Sequence, residues 1–286
     1  MAGLRNSIEI KPLTPVIGAE MLGIDLCGQL SDDDIDMIRE ALNVHQVLFF
    51  RDQPLTPDQH LAFGRRFGEL HVHPSTRALP RDQWQELLPI EVDENSGQNP
   101  GGRWHADVTC DEKPPYASIL HLTTVPECGG DTMFSSMYKA YEALSEPMKK
   151  YLGQLTATHD GAPGYHHLQE KNQRQEKNQW QREKSVYPRT SHPIVATHPY
   201  SGRKMLYVNS VFTTHIDGVP KAESDAILNF LYEHVDRPEF QCRFRWETNS
   251  IAFWDNRACQ HLAIWDYRPA RRSGLRVTIR GDKPVQ

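Results

Sequence analysis

Short apolar runs separated by turn residues dominate this chain, and helices do not alternate with them in any regular way. Strand patterns are read at "SIEIKPL", "GAEMLGIDL", "QVLFF", "LPIEVDE", "RWHADVTC", "ASILHLTTV", "GDTMFSS", "MLYVNSVF", "QCRFRWE", "SIAFWDN" and "GLRVTIRG". A doubly wound parallel sheet needs a helix between successive strands, and that order is missing here. A mainly β architecture with flanking helices (α+β), a sandwich or jelly roll, fits the pattern better. The 286 residues are enough to bury a substantial core, and no repeat or linker divides them, so one domain over 1–286 is expected.

A few helices dress this frame. "SDDDIDMIREALNVH" opens on the capping residue Ser31, carries acidic residues in its first turn, and places Ile35, Ile38, Leu42 and Val44 near helical spacing. "TPDQHLAFGRRFG" has Pro57 at the first helical position. "SMYKAYEALSEPMKKYLGQL" reads as a helical stretch, and "PKAESDAILNFLYEHV" as another. Residues 74–103 read mostly as loop. Residues 166–192 are polar throughout and read as a solvated lid or insert without a core of its own.

The charge balance, 37 acidic against 32 basic residues and a net −5, gives no footprint for nucleic acid or an anionic membrane. The first residues lack an apolar signal core and no run approaches a membrane span, so a cytoplasmic protein is expected. Five scattered cysteines without a CxxC pair read as reduced thiols.

Chemistry enters at "RWHADVTC". On a strand, His105 and Asp107 would share a face and could reach one metal ion. A second such pair, His215 and Asp217, lies in "TTHIDGVP", which reads as a turn entering a helix. The best third ligand is His261 in "FWDNRACQH". Two histidines and a carboxylate on one face of an octahedral ion leave three positions open, as in non-haem Fe(II) oxygenases. On the residues alone, a hydrogen-bonded structural histidine is the commoner alternative.

Eleven residues beyond His261 comes Arg272, and four later Arg276. In a strand from Ser273 onward these two share one face, while Leu275, Val277 and Ile279 supply the other. Arginine forks pair bidentately with carboxylates, so such a strand could hold one dicarboxylate or two anions. Surface exposure is the alternative.

Taken in order, "WHADVT", "GGDT", "WDNRACQH", the "RR" at 271–272, Arg276 and "GDKP" resemble the taurine dioxygenase/2,4-dichlorophenoxyacetate dioxygenase family, from "GAEMLGIDL" to the C-terminus. The resemblance implies a double-stranded β-helix using Fe(II), 2-oxoglutarate and O2. By it, His105, Asp107 and His261 would be the iron ligands and catalytic centre. Thr132 and Arg272 would take the distal carboxylate of 2-oxoglutarate. Arg276 and His73 would face the anionic group of a small substrate, with Val108, Cys110, Tyr165 and Phe212 lining its pocket. It also implies hydroxylation rather than halogenation, since Asp107 is a carboxylate, and a homo-oligomer, dimer or tetramer.

Three pocket positions depart from the taurine enzyme: Thr76 for a tyrosine, Gly101 for an asparagine and Cys110 for a phenylalanine. The loop before His105 is also slightly longer. Lost bulk at these positions predicts an anionic substrate larger than taurine: a sulfonate, a sulfate ester or a carboxylic acid. Taurine dioxygenase proper is the alternative, followed by a zinc hydrolase with the same ligands and a non-catalytic jelly-roll binding protein.

Overall fold

A computed structural model describes residues 8–73, 76, 84–97, 101–163 and 187–286. Its centre is a seven-stranded sheet in the order β1-β2-β3-β13-β5-β15-β4. These strands are β1 (Glu9–Pro12), β2 (Ala19–Leu22), β3 (Val47–Phe50), β13 (Ser250–Asp255), β5 (Ala117–Thr124), β15 (Arg272–Ile279) and β4 (Leu87–Val92). All neighbours pair antiparallel except β2 with β3. A three-stranded sheet, β12 (Gln241–Phe244), β6 (Thr132–Ser136) and β14 (Cys259–Ala263), faces it. The two facing sheets form a double-stranded β-helix with flanking helices.

The central strands are apolar at nearly every position because both faces are covered, so no polar alternation survives in the sequence. In β3, Leu48 and Phe50 enter one core while Val47 and Phe49 enter another. In β13, Ile251 and Phe253 divide in the same way from Ala252 and Trp254. The first core lies under α1 (Asp32–His45) and α2 (Pro57–Arg65). The second lies between the two sheets, where Phe134, Cys242, Phe244 and Cys259 meet Val47, Phe49, Leu122 and Trp254. A third joins α3 (Met137–Glu142) and α5 (Lys221–Val235) to β9 (Val195–Thr197) and β10 (Lys204–Leu206).

Both expected helix starts hold. Ser31 and Asp34 form a capping box on α1, and Thr56 with Gln59 forms another on α2 ahead of Pro57. Val44 is exposed and Ala41 takes the buried place instead. The stretch expected as one helix after Ser136 is two, α3 and α4 (Glu146–Leu152). Ser145 caps the second and Pro147 sits in its first turn, so the SEP sequence starts a helix rather than continuing one. Residues 166–186 of the expected lid lie outside the described residues. The end of that segment is not a solvated lid: β8 (Arg189–Pro193) pairs with β7 (Thr156–Asp160), and His192 is fully buried. β11 (Thr213–Ile216), which the sequence suggested as a turn, completes this third sheet. No described helix is long and apolar enough to cross a membrane.

His60 of α2 is fully buried against the sheet, and its Nε2 lies 3.1 Å from the Ile119 carbonyl. A carbonyl can only accept, so Nε2 carries a proton. Burial, with the neighbouring His121, lowers its pKa from 6.5 to about 3. The unfolded chain therefore binds one more proton than the folded chain between those values. Stability from this group is full above about pH 6.5 and falls as the pH drops towards 3, by about 1.4 kcal/mol per pH unit. Urea unfolding at pH 7 and pH 5 should show His60→Leu losing about 2 kcal/mol less than the unsubstituted protein over that interval. Equal losses would mean that His60 is not held neutral.

Candidate metal centre

The HAD segment is not the strand that the sequence suggested. Only His105 makes a β contact, an isolated antiparallel bridge to His261 on β14. Its two backbone bonds, His105 N–H to the His261 carbonyl (3.1 Å) and the reverse (2.8 Å), bring the imidazoles together with centroids 4.1 Å apart. After the bridge the chain turns. Val108 holds φ 53°, in the left-handed region that a β-branched side chain rarely adopts. That conformation costs on the order of 1–3 kcal/mol, which its surroundings must offset.

Despite the turn, the three predicted ligands converge. His105, Asp107 and His261 are all buried, and they form the one group of three such side chains among the described residues whose ligand atoms lie within 4.8 Å of one another. Asp107 Oδ1 stands 3.9 Å from His105 Nε2 and 4.0 Å from His261 Nε2. His105 Nδ1 lies 2.7 Å from the Arg103 carbonyl, so it must donate, which leaves the Nε2 lone pair facing the cluster. His261 packs against Trp254 with ring centroids 4.8 Å apart. Burial pushes both histidines below their ordinary pKa, most strongly His261. Neutral imidazoles are what a metal needs. Burial alone would raise the Asp107 carboxyl. The Arg276 guanidinium, with the Ser118 hydroxyl, outweighs that and holds it well below the usual carboxylate range. The Nε2 atoms of both histidines and one carboxylate therefore meet at one spot, a donor set that fits a divalent cation of the Fe(II) type.

The second pair behaves differently. His215 Nε2 and Asp217 Oδ1 are 3.8 Å apart, but His215 is only half-buried and both Asp217 oxygens accept threonine hydroxyls, from Thr156 and Thr158. No third ligand joins them among the described residues.

Strand β15 delivers the arginines as its parity requires. Val277 and Ile279 enter the helix-covered core, while Arg272 and Arg276 lie buried on the opposite side. Arg276 Nη1 donates to Asp107 Oδ1 at 2.7 Å, and the buried Arg276 Nε has no hydrogen-bond partner among the described residues. Arg272 is 4% exposed and forms no ion pair with a carboxylate among the described residues. Its Nε donates to the Gly130 carbonyl (3.1 Å) and its Nη2 to the Thr132 hydroxyl (3.3 Å). Trp246 Nε1 also donates to that hydroxyl (2.9 Å), so Thr132 and Arg272 meet as expected.

Val108, Cys110, Val211 and Phe212 form a small buried cluster with Tyr187 against it. Three of the expected pocket residues thus come together. His73 is half-buried. Its segment reaches β15 through His71 N–H, which donates to the Thr278 carbonyl at 2.8 Å. Tyr165 lies outside the described residues. The positions of missing bulk do not all open space. Cys110 is fully buried in its cluster, and the Thr76 hydroxyl sits between the carbonyls of His73 (2.9 Å) and Gln85 (2.6 Å). Gly101 is half-buried, and its carbonyl accepts from Ala263 N–H. Two residues at the site were not anticipated, Ser118 and Asn256. Ser118 gave no sequence signal, while Asn256 sits in the quoted "WDNRACQH".

The model for the taurine catabolism dioxygenase TauD, TfdA family matches residues 9–278. A solved structure described as a putative alpha-ketoglutarate-dependent taurine dioxygenase from Burkholderia xenovorans superposes with a TM-score of 0.83 at 39% identity, covering 98% of this chain and 94% of that one. An alpha-ketoglutarate-dependent sulfate ester dioxygenase of Pseudomonas putida is 36% identical over 97% of this chain and 91% of its own. An alkylsulfatase of Acinetobacter baylyi is 34% identical over 97% of this chain and 86% of its own.

Proposed function

This chain belongs to the taurine catabolism dioxygenase TauD, TfdA family of Fe(II)- and 2-oxoglutarate-dependent dioxygenases acting on a small anionic molecule, and from that premise we propose that its substrate is an alkyl sulfonate or sulfate ester hydroxylated at a C–H bond near the anionic group. The observation that carries this reading is the pair of buried arginines beside the triad. Arg272 has no carboxylate partner among the described residues, and Arg276 keeps an unused buried donor. Buried guanidinium groups of this kind are poorly placed without anions to receive their hydrogen bonds.

His105, Asp107 and His261 would hold the iron. Bound there, Fe(II) supplies the redox chemistry that converts 2-oxoglutarate and O2 to succinate and CO2 and places one oxygen atom on the substrate carbon. The rest belongs to the chain's own residues. Arg272 and Thr132 bind the distal carboxylate of 2-oxoglutarate and thereby orient its keto acid end. Arg276 and His73 receive the substrate's anion. Val108, Cys110, Val211 and Phe212 exclude water from its carbon skeleton. Positioning of this kind is the protein's share of catalysis in a cofactor-dependent reaction.

Within the class, a taurine-sized sulfonate is better supported than a larger acid. The solved structures named as taurine dioxygenases are 39% identical, above the sulfate ester enzyme at 36%. Cys110 and Thr76 are also engaged by their own neighbours, so the smaller side chains there do not by themselves enlarge the pocket. Sulfate esters remain a second reading because of the two relatives named for them. Succinate release over taurine, longer alkyl sulfonates and alkyl sulfates decides between them. Taurine and short sulfonates should be turned over at least as fast as the longer acids, and only in the presence of O2. A strong preference for alkyl sulfates of six or more carbons would overturn the taurine-sized reading, and succinate release under nitrogen would overturn the oxygenase itself.

A further inference from the structure

His105 and His261 are held by strand pairing, but Asp107 lies past the bridge and has no strand partner. Its backbone is instead satisfied by one side chain. Asp107 N–H donates to Asn256 Oδ1 at 2.7 Å, and Asn256 Nδ2 donates back to the Asp107 carbonyl at 2.9 Å. The second Nδ2 hydrogen goes to the Pro115 carbonyl at 3.0 Å, so every donor of the amide is used and the residue is fully buried. Asn256 N–H donates in turn to the Tyr116 carbonyl at 2.7 Å, on the segment leading into β5. A primary amide that gives and receives one bond with the same residue reproduces, in a side chain, the pairing that a neighbouring strand would supply.

The turn that presents this amide is itself locked. Asp255 Oδ1 accepts from the backbone N–H of Arg257 at 2.9 Å. Asp255 Oδ2 lies 3.0 Å from the buried His198 Nε2, and the Arg257 guanidinium pairs with the same carboxylate. Trp254, one residue earlier, packs on His261. The four residues 254–257 therefore connect the ligand on β14 to the ligand on the HAD turn.

We propose that Asn256 is the positioning residue for the carboxylate ligand: its amide clamps the backbone of Asp107 and so sets where the third donor stands relative to the two imidazoles. It touches neither metal nor substrate, and it acts through Asp107. The proposal rests on the metal reading of the triad given above. Outer partners that orient a ligand typically change metal affinity by roughly ten- to hundredfold.

The test is Mn(II) binding to metal-free protein, followed by electron paramagnetic resonance without turnover. Asn256→Asp keeps the size and the acceptor but turns both donated bonds into carboxylate–carbonyl repulsion. It should weaken Mn(II) binding by roughly ten- to hundredfold. Phe63→Leu, in the helix-covered core remote from the triad, serves as the control for general destabilisation and should leave the affinity unchanged. Asn256→Asp with unaltered affinity overturns the clamp. Absence of binding by the unsubstituted protein overturns the metal reading instead, so the two failures are distinguishable. If Asn256→Asp does not fold, hydrogen exchange on the unsubstituted, metal-free protein decides. The Asp107 amide should be protected like a strand amide, and exchange at the rate of an exposed loop overturns the proposal.

Discussion

Asp107→Ala is expected to abolish O2-dependent succinate formation and to weaken divalent-metal binding by more than about a hundredfold, beyond the range seen when only an outer partner is lost. The reason is electrostatic as well as geometric. Asp107 is the sole anion among the three donors, and it also neutralises the Arg276 guanidinium 2.7 Å away. Without it, a cation would have to bind two neutral imidazoles beside an unpaired buried arginine. The same change carries a folding penalty, because removing one partner of a buried ion pair typically costs about 3–5 kcal/mol. Loss of activity by itself would therefore be ambiguous. Replacing Arg276 by Met in the Asp107→Ala background removes the stranded charge and should recover much of the unfolding free energy, while metal binding stays absent. That pattern separates the ligand role from the structural role in one cycle. Retention of O2-dependent turnover by Asp107→Ala would exclude Asp107 from the iron.

Much of the frame around this site is legible in the sequence, though not always for the reason the sequence offers. The parity of β15 works because Leu275, Val277 and Ile279 commit one face to the helix-covered core, which forces Arg272 and Arg276 to the other. The same parity rule applied to "HADV" points to the right convergence through the wrong geometry. Those residues form a turn, and the carboxylate is placed by Asn256, 149 positions away in the chain. No local pattern encodes that contact. Spacing alone does not separate a metal ligand from a structural histidine, whereas the ordered set of motifs resembling a known family does. Polar strands are a separate blind spot. β8, RTSHP, has neither alternation nor β-branched density, and it is a strand because β7 offers a partner. Pocket size is the least legible quantity. The space left by a smaller side chain at 110 is taken by Val108, Val211 and Phe212, and the small residue at 76 serves the backbone. A substitution reveals a lost side chain, whereas the volume depends on every neighbour that can move in.

For Arg272→Ala the expected result is a rise in the 2-oxoglutarate requirement, with the concentration dependence on the organic substrate nearly unchanged. Arg272 is buried and held on three sides: Gly130 and Thr132 accept from it, and its guanidinium carbon stands 5.5 Å from the Trp246 ring centroid. These contacts fix the plane of the fork, so an incoming carboxylate meets a preorganised pair of donors rather than a mobile chain. One hydrogen bond to a charged group contributes about 1.5–3 kcal/mol, so losing it should raise the half-saturating 2-oxoglutarate concentration roughly ten- to hundredfold. Arg272→Lys keeps the charge but not the fork and should fall between the two. Thr132→Val leaves the guanidinium in place but removes one of its supports and the hydroxyl that donates to the same carboxylate, so it should cost roughly tenfold, the low end for one hydrogen bond to a charged group. Initial rates of succinate release, with each substrate varied in turn, measure all three. If Arg272→Ala instead raised the requirement for the organic substrate and spared 2-oxoglutarate, the two anions would have been assigned to the wrong arginines. Arg276, already paired with Asp107, would then be the one that orients the keto acid.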